Sequence, residues 1–301
     1  WTRTSAYPQA FSVPPVDMGP SYNSMSYTIF DQVFWRATSG QVNRWRKHML
    51  GLKPTDFTKL NQAEVPFLYN FSEAVVPVPN DWDDHINVTG YWFLDTLQSE
   101  WQPPQELQDF LEKARKDDKK IAYCGFGSIV VDNPEELSSN LYEAVKQADV
   151  RAIIAKGWSG RMSHKDGDEE GEKVHDAVEP PEEGFVVDSI PHDWLFPKID
   201  IALHHGGAGT TGASLRAGLV TLIKPFFGDQ FFWAQRVHKL GAGMRVASLH
   251  TNDLVTALKK AVESRIMVEK ASQVGERIRS EHGVENAIGF VRTKSRFGGV
   301  A

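Results

Sequence analysis

The sequence predicts an α/β protein built on a doubly wound parallel sheet, preceded by a less regular N-terminal segment. Three observations carry that prediction. After Pro103-Pro104, short apolar runs alternate with amphipathic helical patterns as far as Ser264, which is how successive βαβ units read. The runs IAYCG, AIIA, IALHH and VTLI are continuous rather than alternating, as expected of strands covered by helices on both faces. A glycine-rich loop then joins one run to a helix, and ligands in such sheets sit beyond the carboxyl ends of the strands.

The elements follow in order. Residues 1–100 are aromatic-rich and irregular. Within SMSYTIFDQVFWRATSGQVNRWRKHMLGL, the residues Tyr27, Phe30, Phe34, Trp35, Val42 and Trp45 recur at roughly helical spacing. This predicts one or two helices ending at Gly51 with an aromatic stripe facing a core. VPFLYNFS (65–72) and NVTGYWFL (87–94) read as short strands. No βαβ unit and no glycine loop is legible here, so this stretch is not expected to form an independent doubly wound domain.

PQELQDFLEKARKDDKK reads as an amphipathic helix, and IAYCGFGS as a buried strand running into a glycine turn. Asn133-Pro134-Glu135-Glu136 starts a helix, with a cap, a proline at the first position and acids in the first turn. Strands VRAIIAKG and GFVVDSI come next, then a short helix around Trp194 and strand IDIALHH. A helix begins near Thr210, followed by strand LVTLIKP, helix DQFFWAQRVHKLG, strand GMRVAS and helix TNDLVTALKKAVES. The acidic segment Ser163–Glu183 reads as a solvated insertion. The expected organisation is a first segment over 1–100, the doubly wound domain over 101–290 and a tail over 291–301.

Composition narrows the function classes. The chain has 301 residues, 41% hydrophobic and 24% charged, with a formal net charge of -6. No dense Lys/Arg tract appears, so nucleic acid is not an expected partner. The single cysteine, Cys124, excludes an internal disulfide framework and fits a reducing compartment. There is no 18-residue apolar run and no signal peptide, so a cytoplasmic location is expected. The chain opens at Trp1 rather than Met, which suggests a piece of something longer.

HHGGAGTTG, His204 to Gly212, contains a literal G-x-G-x-x-G, and Asp229 follows Gly207 by 22 positions. On spacing alone this is a dinucleotide fingerprint. Three details argue against an NAD-dependent oxidoreductase. Several βαβ units precede the loop. Asp229 lies beyond strand LVTLIKP, at the start of a helix beside Gln230, whereas a ribose-binding acid ends its strand. And His204 and His205 precede the loop, which a dinucleotide does not need. The glycines and the first N–H groups of the helix still suit a phosphate or diphosphate, and Thr210 and Thr211 could add hydroxyl donors. The plain alternatives are a tight turn with Thr210 as N-cap, and Asp229 as no more than the cap of the next helix. His204, ending a buried strand, reads as a packed and hydrogen-bonded histidine. The histidine pair lacks a third ligand at a recognisable spacing, so no metal is expected. Lys156 reads as a solvated lysine.

HHGGAGTTGASLRAG followed by KPFFGDQFFWAQRV resembles the donor-binding signature of the UDP-sugar-dependent glycosyltransferases with two facing Rossmann-like domains, the GT-B fold. With IPHDWLFP upstream and GFGSIVV earlier, it resembles in particular the fungal sterol 3-beta-glucosyltransferases. The match covers most of residues 100–290. WTRTSAYPQAF and NVTGYWFLD resemble the end of the first, acceptor-binding domain and its linker, so residues 1–100 are expected to be an incomplete acceptor-domain segment.

The resemblance implies roles. His205, Gly207, Gly209, Thr210 and Thr211 would hold UDP's diphosphate. Asp229 and Gln230 would bind the glucose hydroxyls. Ser189, Ile190 and His192 would sit where uracil and ribose are read, and Ser128 would face the phosphates or the sugar. The uracil-stacking Trp of plant relatives is missing near Ser189, and Ala213 stands where they carry a ribose-binding Glu; uracil would then be held mainly by backbone groups or by another side chain. The implied reaction is inverting transfer of glucose from UDP-glucose to the 3-hydroxyl of a sterol such as ergosterol, with no metal and no other cofactor. Peripheral membrane contact is implied only by the acceptor. The family's catalytic base is a His in the first domain, and no matching segment is found here. A non-catalytic UDP-sugar-binding fragment is therefore the alternative from a different class.

Overall fold

The computed structural model describes residues 1–11, 16–58, 65–93, 101–127, 129, 133–157 and 179–297. By internal packing the chain forms two units, one of residues 1–93 with 281–301, the other of residues 94–280. Residues 281–290, placed by the sequence reading with the second domain, thus pack with the first unit.

The second unit carries a six-stranded sheet of β3 (Ile121–Gly125), β4 (Arg151–Ala155), β5 (Gly184–Val187), β6 (Ile201–His204), β7 (Val220–Ile223) and β8 (Gly243–Arg245). Its order is β5-β4-β3-β6-β7-β8, and every pairing is parallel. Every residue of β3, β6 and β7 is buried, whichever way it points. Only cover on both faces does that, which confirms the doubly wound reading. The edge strands β5 and β8 are more exposed.

The helices of this unit are α2 (Gln105–Lys116) before the sheet, α3 (Pro134–Gln147), α4 (His192–Leu195), α5 (Ala208–Arg216) and α6 (Gln230–Leu240) between its strands, and α7 (Thr251–Glu263) and α8 (Arg265–Arg279) after it. Leu107 and Leu111 of α2 pack against Tyr123, Ile153, Leu195 and Phe196 in one core cluster. Cys124 is fully enclosed, and burial pushes its thiol up to about 12, so it is an inert packing residue. Asn133 caps α3 as expected: its Oδ1 accepts the Glu136 N–H at 3.1 Å, and Pro134 opens the helix.

The first unit holds α1 (Pro20–Leu50), a parallel pair of short strands, β1 (Phe67–Tyr69) and β2 (Ile86–Val88), and α9 (Gly283–Phe297). α1 is one helix of 31 residues closed by Gly51 at φ +63°, a conformation that costs glycine little. Its aromatic stripe departs from the core-facing expectation. Tyr27 is buried, yet Phe34 is 59% and Trp45 55% exposed. Phe30 stacks between Phe11 and Phe34, so part of the stripe packs on itself. α9 is tied into this unit by Asn286, whose side-chain N–H donates to the Thr89 carbonyl at 3.0 Å. The expected insertion at 163–183 falls largely outside the described residues.

Replacing Asn133 with Ala removes the cap acceptor of α3. The expected loss is about 1 kcal/mol, measured as a lower urea midpoint in fluorescence-detected unfolding.

Candidate functional site

The strand order fixes the location of the site before any side chain is considered. The chain leaves β3 through α3 toward β4, and leaves β6 through α5 toward β7. These connections run in opposite directions from adjacent strands, so a crevice opens beyond the carboxyl ends of β3 and β6, where such sheets bind ligands. The segments facing it are Phe126-Gly127 after β3 and His205-Gly206-Gly207 after β6.

Glycines let these backbones come together. A methyl group on Gly127 would lie 3.3 Å from the His205 ring, and one on Gly157, after β4, would lie 2.7 Å from the Gly127 carbonyl oxygen. Gly206 has φ +91°, and a Cβ there would meet Ile223 Cγ2 at 2.5 Å. Gly209 faces open space. The helix beyond starts at Ala208 with no side-chain cap, and Ala208 and Gly209 are exposed. Its first N–H groups have no intrahelical acceptor and lie at the positive end of the helix dipole. The N-cap position belongs to Gly207, so the reading of Thr210 as a plain cap is not met.

Beneath the loop lies a buried polar chain. The Gly206 N–H donates to His204 Nδ1 at 3.0 Å. That nitrogen is then the bare one, and the ring proton sits on Nε2, 3.4 Å from Ser214 Oγ. Ser214 Oγ donates to the Thr211 carbonyl at 3.0 Å, and Thr221 Oγ1 lies 3.0 Å from Ser214 Oγ. His204 is completely buried, and burial, with His205 and His192 adding to it, holds its pKa well below the usual imidazole value. It is a packed, hydrogen-bonded histidine, as expected.

His205 is half-buried at the crevice. Burial lowers its pKa, with Asp229 opposing, and its Nδ1 is enclosed without a hydrogen-bond partner among the described residues. His192 stacks on Phe196, with Nε2 3.1 Å from the Tyr123 hydroxyl. Burial also lowers its pKa, against Asp193, while His205 adds to the lowering.

Asp229 precedes α6 but makes no side-chain cap, so the plain cap reading fails for it too. Its Oδ2 accepts the Trp233 indole N–H at 2.8 Å. Gln230 is 5% exposed, and its Oε1 accepts the N–H groups of Phe226 at 2.8 Å and Phe227 at 3.2 Å.

The structure thus gathers His205, Gly207, Gly209, Thr210, Asp229 and Gln230 around the carboxyl ends of β6 and β7, with His192 close enough to add to the lowering at His204. Three expected contacts need correcting. Thr211 is fully buried, so its hydroxyl is not presented at the loop's open side; α5 turns it inward. Ile190 is buried in the core with Leu195 and Phe196, so only its backbone could meet a ligand. Gln230 has its amide oxygen engaged in folding its own loop, which leaves only the amide NH₂ for a sugar. Ser189 is exposed after β5. Ser128 lies outside the described residues. The sequence reading missed Gly127, Gly157 and Trp233. Trp233 stands four residues after Asp229, the spacing at which helical side chains meet.

Among the described residues, no group of three or more His, Cys, Asp or Glu could hold a metal ion, and no helix is long and apolar enough to cross a membrane.

Comparisons with known proteins agree with this architecture. Residues 169–285 match the family model described as Erythromycin biosynthesis protein CIII-like, C-terminal domain. The solved glycotransferase of kitacinnamycin superposes with a TM-score of 0.63 at 20% identity, over 91% of this chain and 67% of that one. The fold is that of the GT-B glycosyltransferases. Within that class the chain is similar to the sterol 3-beta-glucosyltransferases of fungi. It is 56% identical to that of Cryptococcus neoformans var. neoformans serotype D and 54% identical to that of Gibberella zeae, in each case over 96% of this chain. It spans about a fifth of the length of these relatives, 18% and 20%.

Two outcomes are expected. Gly206→Ala forces a methyl group into Ile223 at a strained φ, so the variant should lose at least about 2 kcal/mol of stability, seen as a lowered melting temperature. His204, His205 and His192 resist protonation when folded and accept a proton when unfolded. The unfolded state then binds more protons in acid, so stability is full above about pH 6.5 and falls as pH drops below it. The melting temperature should decline below that pH, and His204→Gln should flatten the decline.

Proposed function

We propose that this chain carries the UDP-glucose site of a UDP-glucose:sterol glucosyltransferase, which transfers glucose with inversion to the 3-hydroxyl of a membrane sterol. One observation carries the reading. An open glycine loop and an uncapped helix N-terminus sit at the switch point of the sheet, in a chain more than half identical to fungal sterol 3-beta-glucosyltransferases over nearly its whole length.

In this reading the N–H groups at the start of α5 receive the diphosphate of UDP. As the glycosidic bond breaks, negative charge builds on that leaving group. The helix terminus stabilises it without reorganisation. His205, whose pKa burial lowers against the opposing pull of Asp229, offers a hydrogen bond. Asp229 holds the glucose hydroxyls so that the acceptor attacks in line. Charge stabilisation by backbone dipoles leaves no step that calls for a metal. Uracil meets backbone groups near Ser189 and Ile190, with His192 beside them. The acceptor hydroxyl needs a general base, which this reading places in the part of the longer relatives that the chain does not span. The sterol acceptor and a peripheral contact with its membrane follow from the relatives' activity, and a cytoplasmic location is proposed with them.

The 301-residue chain is expected to gain thermal stability from UDP and from UDP-glucose, equally with and without EDTA, and none from NAD. Stabilisation by NAD but not by UDP would overturn the reading. Asp229→Ala should weaken UDP-glucose about tenfold and UDP little, as measured by titration calorimetry; equal losses would remove Asp229 from the sugar. Chain alone should bind donor without glucosylating ergosterol, and normal turnover by residues 1–301 would place the base within them.

A further inference from the structure

We propose that Trp233 is the positioning residue for Asp229, fixing the carboxylate that meets the donor sugar; the inference rests on the donor-site reading above. Asp229 has helical backbone angles, φ -75° and ψ -3°, and its side chain makes no bond to the first turn of α6. An aspartate at that position ordinarily caps the helix. Here Oδ2 accepts the Trp233 indole N–H at 2.8 Å instead. Trp233 lies one turn further along and is 2% exposed, with the Phe232 ring edge-on at 5.3 Å. The donor is thus locked in the core while the acceptor stands half-buried at the crevice.

Two properties of the pair matter. An indole N–H only donates and cannot exchange roles. It commits one carboxylate oxygen and leaves the acceptor capacity of the other for hydroxyl groups that donate, as those of a hexose can. The backbone on the other side is also pinned, because Gln230 Oε1 accepts the N–H groups of Phe226 and Phe227. Asp229 is therefore held from the helix and from the loop, and rotating the carboxylate would break a hydrogen bond to a buried donor. Such preorganisation is what a sugar-orienting group requires.

The decisive variant is Trp233→Phe in the 301-residue chain, which keeps an aromatic ring and deletes the donor. UDP-glucose affinity is expected to fall about tenfold and UDP affinity to change less than twofold. The double variant Trp233→Phe with Asp229→Ala should lose no more UDP-glucose affinity than Asp229→Ala alone. Unchanged UDP-glucose affinity, or equal losses for UDP and UDP-glucose, would make Trp233 a packing residue only. If Trp233→Phe does not fold, the indole N–H resonance of Trp233 in the ¹⁵N-labelled parent replaces it. Adding UDP-glucose, but not UDP, should shift that resonance; identical responses would overturn the proposal. Asp229→Ala weakening both ligands equally would instead defeat the donor-site reading itself.

Discussion

The architecture turns on the reversal of strand order between β3 and β6. Two adjacent parallel strands send their connections opposite ways, so no helix can close the gap above them. Everything chemical in the second unit gathers at that gap. The glycines permit it: a side chain at Gly157 would collide with the Gly127 carbonyl and one at Gly206 with Ile223, while one at Gly127 would press on the His205 ring. Once the backbones approach this closely, the first N–H groups of α5 point into the opening with nothing in the helix to bind them. The fold thus presents main-chain N–H donors of the kind that receive an anion.

The three histidines show how the site keeps its electrostatics simple. Burial lowers the pKa of His192, His204 and His205. Backbone dipoles at the start of α5 contribute positive potential whose strength does not vary with pH. A protonated imidazole at His205 would add attraction for an anion, but it would also bring a charge that appears and vanishes near neutrality.

Much of this was legible in the sequence. The continuous apolar runs predicted buried parallel strands, Asn133-Pro134 marked the start of α3, and Asp229 was placed beyond strand β7 at the start of a helix, where the structure has it. These signals are local, and local chemistry decides them. The remainder depends on partners distant in sequence or on facing, which periodicity does not resolve. Thr211 and Gln230 look like polar ligands in a string of letters; the turn of α5 sends the first inward, and the loop before α6 claims the amide oxygen of the second. The aromatic stripe of α1 has core-like spacing, yet Phe34 and Trp45 are exposed, because spacing gives a common face but not what lies against it. α8 and α9 lie beyond the last strand-helix alternation that the sequence reading followed, and nothing local signals that α9 packs with the first unit.

The buried chain from Gly206 through His204 and Ser214 to Thr221 carries an evolutionary consequence. Its links join three elements, β6, α5 and β7, and each side chain both completes and is completed by another. Losing one member strands a buried polar partner, at about 1–3 kcal/mol. These positions therefore cannot drift one at a time. A lineage that exchanges His204 must pass through a destabilised ancestor or change Ser214 and Thr221 with it, whereas the exposed Ala208 and Gly209 above them stay free to vary in stability terms and are held only by whatever the loop binds.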